Sequence, residues 1–216
     1  MKNEVVRLAK ENGLIVILRG IAGERLLPLV EAMYEGGVRL LEITYDASQR
    51  VSDEETARRI GMLSKHFSGR MLIGAGTVLT QEQVKRTADA GGSFIISPHT
   101  DGAVIGETVR LGLASIPGAL TPTEVVAAHT FGADMVKLFP VSSLGPGYVK
   151  ALKAPLSHIP LLAVGGVTLE NMAEYRRAGA IGFGISSGIV DMAALEKGDY
   201  EAIRQRAALY VAAARG

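Results

Sequence analysis

The 216-residue sequence predicts an α/β protein, a (β/α)8 TIM barrel with an extra N-terminal helix, forming one domain over residues 1–216. Short apolar, β-branched runs recur eight times along the chain, and stretches of helical periodicity separate them. These eight units leave no segment over, so we expect a closed barrel. The rival arrangement is a doubly wound open sheet, which the same alternation of strands and helices would also produce.

The predicted strands are, in chain order, GLIVILRG, RLLEITYD, MLIGAGTV, SFIISP, ASIPGA, DMVKLFP, LLAVGG and IGFGISS. Each run is short and mainly apolar, with β-branched residues, and each is followed by a turn signal. The segment before the first strand, from about Lys2 to Glu11, is charged and amphipathic. We expect it to form an additional helix that covers the bottom of the barrel.

The helices between these strands are marked at both ends. Three capping boxes are expected, at Ser52 with Glu55, Thr80 with Gln83, and Thr121 with Glu124, the last followed by the first-turn proline Pro122. Glycines are expected to end other helices, at Gly36-Gly37, Gly91-Gly92, Gly112, Gly132 and Gly179. No linker, low-complexity tract or block of charge divides the chain, which indicates one domain.

The composition excludes several classes of function. The 23 basic residues nearly balance the 22 acidic ones, so a net charge of +1 predicts neither a nucleic-acid partner nor a membrane-surface partner. Without cysteine the chain has no disulfide and no thiolate metal site. The four histidines are scattered, with no pair at metal-ligand spacing, so no metal is expected. With no apolar segment of signal-peptide or membrane-span type, a cytoplasmic protein is expected.

Charged residues interrupt three of the predicted strands. Lys137 lies within DMVKLFP, Glu42 within RLLEITYD, and Arg19 near the end of GLIVILRG. Because side chains alternate along a strand, each of the three shares a face with apolar residues, Lys137 with Met135 for example. If these faces point inward, all three groups enter one cavity near the catalytic mouth of the barrel. Buried separately they would be costly, so we expect them to lie together.

Two interpretations of these charges remain open from the pattern alone. Lys137 and Glu42 could form a structural ion pair without any chemistry. Alternatively, Lys137 is a Schiff-base lysine, because burial and a neighbouring cation both disfavour its protonated form and leave an amine that attacks a ketone. Glu42 would then move protons, since burial raises its pKa toward neutral pH.

Six segments resemble the 2-keto-3-deoxy-6-phosphogluconate (KDPG)/4-hydroxy-2-oxoglutarate aldolase family in order and spacing. They are GGVRLLEIT, IGAGTVLT, FIISP, IPGALTPTE, VKLFP and AVGGVTLEN, and the resemblance extends from VILRG to GISSGIV. ILRG and GPGYVKALK are more similar to the branch that cleaves the phosphogalactonate analogue. The resemblance implies a class I aldolase that cleaves a 2-keto-3-deoxy-6-phospho sugar acid reversibly to pyruvate and glyceraldehyde 3-phosphate. Cleavage of 4-hydroxy-2-oxoglutarate to pyruvate and glyoxylate is a further expectation.

The resemblance also implies roles for single residues. Lys137 matches the family's Schiff-base lysine and Glu42 its general acid/base. Four other positions match substrate-binding positions, Arg19 and Thr77 for the pyruvyl carboxylate, and Pro98 and Phe139 for the pocket wall. The family's reaction uses no metal and no cofactor, and its members are usually homotrimers. Keto-acid and sugar-phosphate substrates are therefore the expected small-molecule partners.

The distal end of the substrate is less constrained by the sequence. Gly165, Gly166 and Ser187 follow the last two predicted strands, where barrels commonly bind phosphate, although such glycines could also merely form turns. Asp46 stands where many family members have an arginine, and a carboxylate there would repel an anionic substrate end unless it faces away or binds hydroxyls. The preferred C4 epimer is therefore left open.

Two other classes of protein share the barrel pattern. A non-catalytic sugar-phosphate-binding barrel would need neither Lys137 nor Glu42, and both are present. A phosphosugar isomerase or synthase of related barrel type would bind a similar ligand without a covalent adduct. Borohydride trapping with pyruvate would select the aldolase from these classes, because it captures an imine formed on lysine.

Overall fold

The strands form one parallel sheet that closes into a barrel in the computed structural model, which describes residues 2–216. The strands are Leu14–Leu18 (β1), Leu40–Thr44 (β2), Leu72–Gly76 (β3), Phe94–Ile96 (β4), Ala114–Ile116 (β5), Gly118–Ala119 (β6), Val136–Leu138 (β7), Leu161–Val164 (β8) and Gly182–Ile185 (β9). Their order in the sheet is β5-β4-β3-β2-β1-β9-β8-β7-β6. The two edges belong to one stretch of chain, so the predicted TIM barrel is confirmed.

The predicted fifth strand, ASIPGA, is divided into β5 and β6 at Pro117. Proline has no N–H to donate to the ladder and therefore interrupts a strand assignment. Its carbonyl still accepts a hydrogen bond from the Lys137 backbone N–H at 2.9 Å. Pro117 thus joins β5, which pairs with β4, to β6, which pairs with β7, and the barrel continues across the break.

The helices surround this barrel on its outer face and cover one end. They are Lys2–Asn12 (α1), Gly23–Glu35 (α2), Asp53–His66 (α3), Gln81–Asp89 (α4), Gly102–Arg110 (α5), Pro122–Thr130 (α6), Gly145–Lys153 (α7), Met172–Arg177 (α8), Met192–Lys197 (α9) and Tyr200–Arg215 (α10). Within residues 2–216, no helix has the length and apolar character needed to cross a membrane.

The predicted helix starts are confirmed at Ser52, Thr80 and Thr121, whose side chains each accept a backbone N–H three residues later. The box at Thr121 is completed by the Glu124 carboxylate. At the other two helix starts, the side chain three residues after the capping residue does not bond back to the cap. Glu55 pairs with Arg58 and Arg59, and the Gln83 amide oxygen accepts the Leu79 N–H.

Two separate apolar cores confirm the predicted alternation along the strands. The inner core fills the barrel and contains Ile15, Ile17, Leu40 and Met135. The outer core lies between barrel and helices and contains the alternate residues of the same strands, such as Val16. Helix α1 contributes two buried residues to the inner core, so it closes the bottom of the barrel as expected. The faces that carry Glu42 and Lys137 consequently point inward.

Candidate active site

Lys137 is the central residue of β7 and projects into the barrel, where only 8% of its surface is exposed. Its Nζ lies 4.8 Å from the centroid of the Phe139 ring, close to the carboxyl end of the strand. Burial lowers the pKa of Lys137 from 10.5, Arg19 lowers it further, and Glu42 acts in the opposite direction. A buried amine of lowered pKa has a larger neutral, nucleophilic fraction at neutral pH.

Glu42 lies on the inner face of β2 and is 1% exposed. Burial raises the pKa of its carboxyl from 4.5, against the lowering effects of Lys137 and Arg19. Its Oε2 is buried and has no hydrogen-bond partner among residues 2–216. Among residues 2–216, no side-chain nitrogen of Lys, Arg or His lies within 4.0 Å of a Glu42 carboxylate oxygen, so Glu42 forms no ion pair there. A purely structural pair with Lys137 would be in direct contact, so this geometry favours a carboxyl kept free for a ligand.

Gly76, which sequence reasoning missed, provides the space for this carboxyl. It is the last residue of β3, next to β2, and a Cβ atom built there would lie 1.5 Å from Oε1 of Glu42. Any other residue at this position would displace the Glu42 side chain. The signal in the sequence is a glycine in register with the second strand, where it opposes Thr44, but its contact with Glu42 needs the structure.

Arg19 and Thr77 meet just beyond the ends of β1 and β3. Nη2 of Arg19 donates a hydrogen bond of 3.1 Å to Oγ1 of Thr77. Thr77 has a φ of 55°, a left-handed conformation that is rare for a β-branched residue. Such strained conformations cluster at ligand-binding sites. The pair presents a guanidinium and a hydroxyl together, a donor set that suits a carboxylate.

One cavity of about 560 Å³ brings these residues together at the carboxyl ends of the strands. Eight of the nine predicted site residues line it: Arg19, Thr77, Pro98, Lys137, Phe139, Gly165, Gly166 and Ser187. Glu42, the ninth, is buried next to the cavity rather than on its wall. The arrangement can hold a carboxylate at Arg19, form a covalent bond at Lys137 and exchange protons at Glu42.

The distal end of the cavity is formed by the loops after β8 and β9. Gly165 and Gly166 have φ values of 88° and 82°. A Cβ on Gly165 would approach the Phe139 ring to 3.1 Å, and one on Gly166 would lie 2.4 Å from Cβ of Ser142. Both glycines therefore have a packing requirement of their own. A bulky substitution at either position would disturb the wall of the cavity whether or not phosphate binds there.

Helix α10 contributes two lining residues, Arg206 and Tyr210, that sequence reasoning missed. They lie four residues apart and therefore share one face of the helix. Thr168 and Glu170, in the loop before α8, line the same cavity. The sequence around Arg206 is typical of an ordinary surface helix. Only the tertiary structure shows that this part of α10 lies beside the cavity.

Asp46 lies outside the Lys137 cavity and faces its own loop. Its carboxylate accepts hydrogen bonds from the Ser48 N–H at 2.9 Å, the Ser48 hydroxyl at 2.6 Å and the Val51 N–H at 3.3 Å. These bonds, those of Ser48 first, lower the pKa of Asp46. It lines a second cavity of about 230 Å³, which Arg19 separates from the first.

Across residues 2–216, no group of three or more His, Cys, Asp or Glu side chains could hold a metal ion.

Comparison with known proteins identifies similar chains along almost the full length. The family model for KDPG and KHG aldolase matches residues 5–206. A probable 2-dehydro-3-deoxy-6-phosphogalactonate aldolase of Rhizobium meliloti is 39% identical over 94% of this chain and 92% of its own. The 2-dehydro-3-deoxy-6-phosphogalactonate aldolase of Escherichia coli K12 is 40% identical over 82% of this chain and 83% of its own.

A solved structure gives the same result for the three-dimensional fold. It is the KDPG aldolase of Legionella pneumophila, with pyruvate captured at low pH as a covalent carbinolamine intermediate. Its sequence is 25% identical, and it superposes with a TM-score of 0.85 over 95% of this chain and 97% of that chain.

Proposed function

The chain belongs to the KDPG and KHG aldolase family, and from this premise we propose that it cleaves 2-dehydro-3-deoxy-6-phosphogalactonate to pyruvate and glyceraldehyde 3-phosphate. Membership confirms the resemblance seen in the six sequence segments and makes the chain a carbon–carbon lyase. The galactonate-derived epimer is supported by relatives of that name at 39% and 40% identity. The gluconate-derived epimer is the competing substrate.

The proposed reaction begins at Lys137. The neutral amine adds to the C2 ketone to give a carbinolamine, which takes up a proton from solvent and loses water to form a protonated imine. The carbinolamine held by the Legionella protein is a species of this kind in that relative. The observation that carries the proposal is a buried lysine of lowered pKa that shares one cavity with Arg19 and Thr77 and lies beside a buried, unpartnered carboxyl.

Carbon–carbon cleavage follows from the electron demand of the imine. Glu42 as carboxylate takes the proton of the C4 hydroxyl, the C3–C4 bond breaks, and its electron pair moves into the iminium to form an enamine. The new carbonyl at C4 leaves as glyceraldehyde 3-phosphate. Glu42 then returns its proton to C3 of the enamine, and water releases pyruvate from Lys137. A carboxyl whose pKa is raised by burial suits both directions of transfer.

The remaining site residues hold the two ends of the substrate. Arg19 and Thr77 bind the carboxylate of the pyruvyl half, while Pro98 and Phe139 form the walls beside the reacting carbons. We place the phosphate at the loops that contain Gly165, Gly166 and Ser187. The backbone N–H groups there can donate to its oxygens, as loops after the last two strands do in other barrels.

Borohydride trapping tests the covalent step directly. Incubation with pyruvate and borohydride should add one reduced pyruvyl group to the intact protein, and peptide mapping should locate it at Lys137. An unmodified mass under these conditions would contradict a class I aldolase. Steady-state kinetics with the galactonate- and gluconate-derived phosphates would then determine the epimer, the galactonate-derived one being expected to give the higher kcat/KM.

A second substrate is supported by the separation between the two ends of the cavity. All groups proposed to act on the pyruvyl half lie at the inner end, and 4-hydroxy-2-oxoglutarate has the same half without a phosphate. The enzyme should therefore also cleave this compound to pyruvate and glyoxylate, with a higher KM because the distal contacts are lost. The same assays measure both activities.

We further propose a homotrimer in the cytoplasm. Val109, Val126 and Phe131 are exposed apolar side chains on or next to α5 and α6, and the Phe131 ring extends toward Gly102 of α5. Apolar surface of this kind is typical of subunit contacts. A phosphorylated sugar acid does not cross a membrane unaided, so its enzyme is expected where it is made. Light scattering after size exclusion would measure three times the mass of one 22.8 kDa chain.

A further inference from the structure

Arg206 lies at the outer end of the Lys137 cavity, on α10 rather than on a strand loop. We propose that its guanidinium binds the phosphate of the substrate and makes the enzyme select phosphorylated over unphosphorylated ligands. This inference rests on the proposed function and adds a side-chain cation to a site otherwise built from backbone donors and Ser187.

The guanidinium of Arg206 is held on one side and open on the other. Its Nε donates a hydrogen bond to the carbonyl of Gly188, in the loop after β9. Neither of its Nη nitrogens has a hydrogen-bond or ion-pair partner in the part of the chain that the structure describes, residues 2–216. Two free Nη groups on a fixed plane match two oxygens of a phosphate.

Arg204, two residues earlier on the same helix, shows the ordinary alternative. Its Nε and Nη2 donate to the two carboxylate oxygens of Glu201 at 2.7 and 2.5 Å. Arg206 has no carboxylate within 4.0 Å among residues 2–216. The helix therefore pairs one arginine on its surface and directs the other, without a counter-charge, to the rim of the cavity.

Tyr210 fixes the position of α10 relative to the β9 loop. A Cβ on Gly188 would lie 2.5 Å from the Tyr210 hydroxyl oxygen, so the helix and this loop are in close contact at two successive turns. Arg206 therefore occupies a defined place beside Gly188 rather than a variable position on the surface. The absence of a side chain at Gly188 permits this contact.

The charge at the distal end supports the same assignment. Glu170 is the acidic side chain on this part of the wall, and hydrogen bonds from the Thr168 side chain and from its own backbone lower its pKa, so it is ionised and an anion that binds there needs a cation beside it. Arg206 is the one cation lining the distal end among residues 2–216. A sugar phosphate carries a charge of about −1.5 to −2 at neutral pH, which neutral N–H donors bind but do not neutralise.

The test compares Arg206→Gln and Arg206→Lys with Arg204→Gln as the matched surface control. The phosphorylated probe is whichever of the two epimers the unmodified enzyme cleaves faster, and the unphosphorylated probe is pyruvate, followed by borohydride trapping. Arg206→Gln should raise KM for the phosphorylated probe about 10- to 100-fold, as expected for the loss of a charge-assisted hydrogen bond. Its rate of pyruvate trapping and its melting temperature should match those of the unmodified enzyme.

The conservative variant and the control separate recognition from structure. Arg206→Lys keeps the charge but loses the planar fork, so its KM should fall between the two, and Arg204→Gln should change neither measurement. Parallel loss of phosphorylated cleavage and pyruvate trapping in Arg206→Gln would overturn the inference, because it would assign Arg206 to supporting the loop. An unchanged KM would overturn it as well. Failure of the unmodified enzyme to form a pyruvate adduct would instead contradict the proposed function.

Discussion

The inner and distal ends of the Lys137 cavity are formed by different kinds of structural element. The inner end consists of side chains on β2 and β7, Glu42 and Lys137, which are 1% and 8% exposed and have shifted pKa values. The distal end consists of loop backbone with positive φ and of Arg206, an exposed residue of α10. Bond-making chemistry is thus proposed on rigid, buried strands, and recognition on the loops and helix that surround their ends.

This difference indicates why the two ends can change independently. The lowered pKa of Lys137 comes first from desolvation, which the barrel interior provides. Binding a phosphate requires donors at a surface that an anion can reach, which loops provide. A family can therefore keep one pyruvyl chemistry while its members differ in the distal half of the substrate. The family's description shows this range, since it covers KDPG, which carries a distal phosphate, and KHG, which does not.

Replacing Lys137 should have the largest effect, because the covalent bond is assigned to its amine alone. Lys137→Ala is expected to abolish cleavage of every substrate, phosphorylated or not, and to prevent the borohydride adduct. Lys150→Ala, which changes an exposed lysine on the next helix, is the control and should retain full activity. An adduct that still forms on Lys137→Ala protein would show that another amine is the nucleophile.

Glu42→Gln should be the next most severe change at the inner end. It keeps the volume of the side chain but removes proton transfer, so kcat should fall by about two to four orders of magnitude. Pyruvate trapping should persist, since the lysine is intact. Exchange of the methyl protons of pyruvate with deuterated water, followed by NMR, tests the carboxyl once trapping has shown that the imine still forms. Exchange at the unmodified rate would assign the base to another group.

The inner end was more predictable from sequence than the distal end, for a physical reason. A charge in a buried strand stands out against its apolar neighbours, and strand parity assigns it to a face, so Glu42 and Lys137 could be found without a structure. Gly76 could not be assigned to Glu42, because their contact is between neighbouring strands rather than along one. Arg206 follows β9 by about 20 residues and looks like any exposed arginine of a helix. The position of α10 depends on packing that no local pattern encodes.

Gly76→Ala tests how strictly the inner end is built. The new Cβ would occupy the position of Glu42 Oε1, so the carboxyl must move by an ångström or more. A displacement of this size commonly costs up to about a hundredfold in rate, and we expect kcat to fall about 10- to 100-fold.

Gly106→Ala is the matched control, because a Cβ there meets no atom within 4 Å. It should leave kcat unchanged and stabilise α5 by about 1 kcal/mol. Equal activity of the two variants would mean that Glu42 need not occupy its present place.

Lys137→Met measures the cost of the buried amine in stability. The pKa of Lys137 is lowered from 10.5 in the folded state, so the unfolded chain binds more protons between the folded-state value and 10.5. The cost is therefore fully present below the folded-state pKa and disappears as the pH rises through 10.5. Lys137→Met should unfold in urea with a free energy higher by about 1 kcal/mol at pH 7, and the gain should shrink toward pH 10. A loss of stability at both pH values would identify Lys137 as a structural partner instead.

Asp46→Asn should have the smallest effect on catalysis, and it tests whether any group outside the two ends sets the choice of epimer. A carboxylate facing the substrate would change the ratio of kcat/KM for the galactonate- and gluconate-derived phosphates when neutralised. In the structure this carboxylate accepts three hydrogen bonds from Ser48 and Val51 and lines the smaller cavity. An asparagine oxygen can replace part of that set. We therefore expect a melting temperature lower by a few degrees at most and a ratio of the two kcat/KM values unchanged within about twofold.

The matched substitution Asp191→Asn at the start of α9, which also removes a carboxylate that caps backbone N–H groups, should behave in the same way. A shift of the ratio in Asp46→Asn but not in Asp191→Asn would mean that the β2–α3 loop moves over the substrate during turnover, and the division into an inner and a distal end would then need a third, mobile part.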